Sequence, residues 1–110
     1  MTGDNLERRF DRAMADVYER AKREVGYNAT RYLQLLSEHG GLATARLLLT
    51  TPNVSDGFTT LWEAHRLDLT VEAHVLKPEF RGLFTAGELA VARERLDALG
   101  YSMPAEPEHR

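Results

Sequence analysis

The first quarter of the chain limits its fold more than any other stretch. Leu6, Phe10, Met14, Val17, Tyr18, Ala21 and Val25 recur mostly three or four residues apart, so they share one stripe of an α-helix. The spacing predicts a helix from about Asn5 to Val25, capped by Asp4 or Asn5 and ended by Gly26 in a left-handed conformation. At ~1.5 Å per residue such a helix is ~30 Å long, a large element for a chain of 110 residues. Its other face is charged. From Asp4 to Val25 six acids balance six bases, which describes a solvated surface rather than a basic arm.

The rest of the chain is also helical in pattern. In YNATRYLQLLSEHGG, Asn28 is a natural cap, Tyr32, Leu33, Leu35 and Leu36 supply apolar contacts, and Gly40-Gly41 ends the helix. A short apolar helix, Leu42 to Leu49, then stops at Thr50-Thr51-Pro52 because proline has no N–H to continue the bonding. Ser55 or Asp56 caps the next helix, where Phe58, Leu61, Trp62 and His65 fall on one face. Thr70 caps a further segment with Glu72 in its first turn, where a carboxylate suits the helix dipole. From Leu67 to Val75 apolar residues also alternate with polar ones, as in a strand. A lone strand has no partner to pair with, so helix is the better reading. Thr85-Ala-Gly-Glu88 is a capping box before the last helix, which Gly100 ends. The expectation is an all-α compact bundle of five or six helices with a long N-terminal helix. It forms a single domain over residues 1–101, followed by a disordered C-terminal tail, 102–110.

Several kinds of chemistry are disfavoured by composition and spacing. There is no cysteine, which removes disulfides, thiolate metal sites and cysteine nucleophiles. The triplet Glu-Ala-His occurs twice, at Glu63–His65 and Glu72–His74. Residues two apart on a helix point about 200° apart, so neither triplet forms a ligand pair. Convergence of His65 with Glu72 or His74 across the intervening turn is the remaining metal geometry. None of Ser37, Ser55 and Ser102 sits in a G-x-S-x-G elbow. No catalytic, cofactor-binding or metal-ligating residue is assigned, no cofactor is expected, and a metal-dependent enzyme ranks third among the functions.

Two partner classes are carried forward. Phe10, Met14, Val17 and Ala21 step by four, three and four residues, the rhythm of a helix-packing seam. They can serve the domain's own core, a second copy or another protein. Nucleic acid is the alternative partner, through Arg8, Arg9, Arg12, Arg31 and Arg46. A net charge of −3 disfavours it, because phosphate binding needs a local basic surplus. No apolar run approaches the ~20 residues that cross a bilayer, and the N-terminus has no signal-peptide core, so the expected location is the cytoplasm.

The residues Tyr27, Asn28, Arg31, Gly40, Gly41, Ser55, Gly57, Phe58, Leu61, Trp62, Glu63, Leu67, Asp68, Glu72, Phe80, Phe84 and Gly100-Tyr101 make a pattern. In that pattern the chain resembles a small bacterial helical domain found both alone and attached to larger proteins. The resemblance covers about two-thirds of the chain and implies a portable helical module. It implies no catalytic role. The function expected is therefore a non-enzymatic interaction module, self-associating or docking on another protein through the N-terminal helix.

Overall fold

The computed structural model describes residues 2–101, and among them the secondary structure is entirely helical. Helix α1 spans Thr2–Arg20 and runs on through one π-helical turn, Ala21–Val25. Helix α2 is Thr30–Thr50, α3 is Asp56–Glu63, α4 is Val71–Val75 and α5 is Ala86–Ala98. Single 3₁₀ turns at Leu67–Leu69 and Arg81–Leu83 precede α4 and α5. The tail expected at 102–110 lies outside the described residues.

Local chemistry sets most of the boundaries. The hydroxyl of Ser55 accepts from the Phe58 amide, and that of Thr70 from the Ala73 amide, so each satisfies an orphan donor of a first turn. At α5 the capping box is complete. Thr85 Oγ1 accepts from the Glu88 amide at 3.1 Å, and the Glu88 carboxylate accepts from the Thr85 amide at 2.8 Å. Gly26 and Gly100 end their helices at φ 79° and 78°, where only glycine is unstrained. Inside α2, Gly40 stands at φ 84°, ψ 170°. That conformation divides α2 into two helical halves and realises the break read from the Gly40-Gly41 pair.

One core joins all five helices. Phe10 and Met14 are completely buried, Phe10 meeting the rings of Phe80 and Phe84 edge-on at 5.1 and 5.3 Å. Ala45, Leu49, Phe58, Leu76, Ala92 and Leu96 belong to the same cluster. The two helices α1 and α2 approach closely at Gly41. A Cβ there would lie 2.6 Å from Asp11 Oδ1 and 3.0 Å from its Cα, while the Gly41 amide donates to Asp11 Oδ1 at 2.8 Å. Asp11 thus caps the second half of α2 from another helix. Helix α4 is buried on every side, Glu72 and His74 included, and it packs against α1, α2 and α5. The Thr44 hydroxyl is buried without a hydrogen-bond partner, and nothing in the structure explains it.

Of the uses left open for Phe10, Met14, Val17 and Ala21, the structure shows the domain's own core: these side chains are buried among the chain's own helices, because α1 lies along the core. Three other sequence expectations change. Helix α1 begins at Thr2, so Asp4 and Asn5 lie within it. Asn28 does not cap α2; its side chain accepts from the Tyr18 hydroxyl at 2.7 Å. The α3 face is narrower than expected. Phe58 and Leu61 are buried, but Trp62 is 43% exposed and His65 is exposed beyond the helix end. His65 adopts φ 62°, a left-handed turn that ends the periodicity before it reaches this residue.

Candidate functional site

Where α1 ends, its buried apolar stripe backs onto a cleft. Val17, Tyr18 and Ala21 form one wall of a cleft of about 440 Å³, within the range typical of ligand sites. Tyr32 and Leu35 come from the first half of α2, and Leu47, Leu48 and Thr51 from the second. The loop Asn53–Ser55 and the start of α3 close one side, and Leu69–Glu72 make the floor.

Each wall is held by a specific bond. The π-helical turn ends at Gly26, and the Tyr27 amide returns to the Ala21 carbonyl at 3.1 Å. The Tyr32 hydroxyl donates to the Met14 carbonyl at 2.8 Å, fixing the start of α2 on α1. Burial pushes the Tyr32 phenol well above its usual range, so it stays a neutral donor. Across the cleft, Arg95 of α5 organises the far wall. Its Nη1 donates to the Leu48 carbonyl at 3.0 Å and to Glu72 Oε2 at 2.9 Å, and its Nη2 donates to the Thr51 carbonyl. One guanidinium therefore satisfies terminal carbonyls of α2 and neutralises the acid in the floor.

Glu72 is the unusual group. It is only 3% exposed, yet it lines the cleft. Burial pushes its carboxyl above the ordinary carboxylate range, and the bond to Arg95 offsets this only in part. His74, one turn from the Thr70 cap, donates Nδ1–H to the Thr70 carbonyl at 2.9 Å. Its burial lowers the imidazole below the usual value and keeps it neutral. Beside the floor, Arg66 grips Asp68 through two bonds of 3.0 and 3.1 Å and Glu24 at 2.8 Å. Hydrogen bonds from Arg20 and Arg66 pull the Glu24 carboxyl down to about 2. This exposed clamp ties the end of α1 to the turn before α4, with the modest stability usual for surface ion pairs.

The sequence-derived candidates separate in space. Glu72 faces Arg95, His74 bonds to Thr70, and His65 is exposed at the end of α3. Among the described residues no group of three or more His, Cys, Asp or Glu could hold a metal ion. Arg8, Arg9 and Arg12 are exposed on α1 with Glu7 and Asp11 exposed among them. Arg31 lines the cleft, while Arg46 lines a different hollow beside Gly40. Arg46 donates to the Leu83 carbonyl at 2.8 Å and lies 3.4 Å from Glu88. The five arginines do not line one groove. Of the four seam residues, Val17 and Ala21 line the cleft from behind, whereas Phe10 and Met14 do not reach it.

Sequence reasoning missed Leu47, Val54 and Arg95. Leu47 sits in a run of three leucines that reads as core, and Arg95 is one of several charged residues along the last described helix. No described helix is long and apolar enough to cross a membrane. No protein-family model matches this chain, and neither do the curated proteins or the solved structures compared with it.

Proposed function

We propose that this chain is a cytoplasmic, non-enzymatic helical interaction module that docks on another protein through the cleft at the end of α1. The observation that carries this reading is the mouth of the cleft, where Leu47 and Val54 are 45% and 39% exposed. Apolar side chains around a concave apolar surface gain free energy when covered, at roughly 25 cal/mol per Å² removed from water. The docking surface differs from the seam of Phe10 and Met14, which the core has already consumed. Self-association is the simplest form of the same activity.

The test compares wild type with a Leu47→Asp, Val54→Asp double variant by light scattering and by crosslinking from a photoreactive group at Asn53. Both substitutions lie on exposed positions, so helicity and melting should stay close to wild type. Association or crosslinking present in wild type and lost in the variant supports docking through the cleft. Equal behaviour of the two proteins overturns it. Binding to duplex DNA or RNA that weakens steeply with salt would instead favour the exposed Arg8, Arg9 and Arg12.

A further inference from the structure

The docking reading leaves open which protein covers the cleft, and the charges around it answer that. Glu72 is already neutralised, with Arg95 Nη1 2.9 Å from its Oε2. The other charged lining residues are Arg31, in the first turn of α2, and Asp56, which opens α3. Both are exposed, and among the described residues neither forms an ion pair or a side-chain hydrogen bond. The same lining includes Leu47 and Val54, the exposed apolar residues of the mouth. The patch therefore presents apolar surface with one free positive charge, one free negative charge and no net charge.

Resting on the docking reading, we infer that the partner is a second copy of this chain. A two-fold axis passing between Arg31 and Asp56 sets the two clefts face to face, and each copy's Arg31 meets the Asp56 of the other. A surface that pairs with itself must carry complementary groups in matched numbers, since in an isologous contact residue i meets j and j meets i. One unpaired cation and one unpaired anion on the same patch meet that condition, and the rotation makes two ion pairs of them. The apolar mouth meets its own equivalent in the same step, so Leu47 and Val54 leave water on both copies. A strongly acidic or strongly basic partner would satisfy one of the two charges and oppose the other. The chain's net charge of −3 adds only a repulsion that salt screens.

Sedimentation of the full chain from micromolar to millimolar concentration measures the dimer, and charge reversal assigns its geometry. Arg31→Asp alone and Asp56→Arg alone each set like charges together twice. Each should dimerise about tenfold more weakly than wild type. The double variant Arg31→Asp, Asp56→Arg restores opposite charges and should return to the wild-type affinity. Mixing the two single variants restores them as well. Native mass spectrometry, with one chain isotopically labelled, should then find the mixed dimer in excess over either homodimer. A wild-type dimer indifferent to these changes, or one weakened by both with no recovery in the double variant or the mixture, overturns the inference and leaves docking to the Leu47→Asp, Val54→Asp comparison. A wild-type monomer at millimolar concentration also overturns it, and crosslinking from Asn53 then judges docking alone. If Asp56→Arg does not fold, Arg31→Asp and Asp56→Asn carry the test. Weakening by both, smaller in high salt, is expected, and unchanged affinity in both overturns the pairing.

Discussion

The two ends of α1 bury the same kind of residue in different surroundings. At Phe10 and Met14 the stripe is sealed by Phe80, Phe84 and the close approach of Gly41, and nothing of either side chain reaches solvent. A turn or two further on, Val17, Tyr18 and Ala21 back onto a cleft whose mouth is apolar. The apolar spacing continues through both ends, so periodicity alone does not distinguish a helix face sealed on both sides from one that backs onto a cleft. The distinguishing fact is which distant segments arrive to cover it. The closed end receives two phenylalanines, whereas the open end is framed by a loop and floored by a carboxylate.

That contrast can be broken from the closed end most forcefully. Phe10→Ala removes a completely buried ring with two edge-on partners and should cost about 3–5 kcal/mol in urea unfolding. A loss under about 1 kcal/mol would show that the seam is not sealed as described. Gly41→Ala places a methyl group against Asp11 and Met14 and should destabilise by about 1–3 kcal/mol, although alanine is ordinarily the better helix former. A gain in stability would mean that α1 and α2 do not approach so closely.

Beneath the open end, His74 provides a pH test. Its folded pKa is depressed by burial below the ordinary 6.5, so the unfolded state binds the proton first. Its contribution is present above about pH 6.5 and lost as pH falls through that value toward the folded one. Melting temperature should therefore fall between pH 7.5 and 5.5 more steeply in wild type than in His74→Gln, and parallel curves would refute the assignment. The smallest effect belongs to His65, whose left-handed backbone costs a non-glycine residue free energy. His65→Gly should raise stability by up to about 1 kcal/mol, readable as a higher urea midpoint at unchanged m-value. A lower midpoint would mean that the imidazole contributes more than the turn costs.

How far each feature was legible depended on the distance over which it is made. The caps at Ser55, Thr70 and Thr85–Glu88 are bonds across three residues, and the sequence displays both partners together. The segment 67–75 looked double-natured because its odd positions are all apolar. Thr70 resolved it, and the structure adds that α4 needs no polar face at all, since Glu72 and His74 are buried too. The end of α3 was overrun because a histidine, not a glycine, takes the left-handed position. The cleft was illegible for a different reason. Arg95 finds Glu72 across 23 residues and Leu48 across 47, and no local pattern marks either end of such a bond. Leu47 reads as core in the company of Leu48 and Leu49, of which only Leu49 is fully buried.

The reach of Arg95 has a consequence for the order in which the molecule is completed. Translation delivers α1 to α4 before the residue that neutralises Glu72 and ties off the carbonyls of Leu48 and Thr51 exists in the chain. Without α5, Glu72 lacks its guanidinium partner and the carbonyls of Leu48 and Thr51 lack this side-chain donor. The far wall of the cleft and the acid lining it are therefore completed by a residue distant in the chain from both.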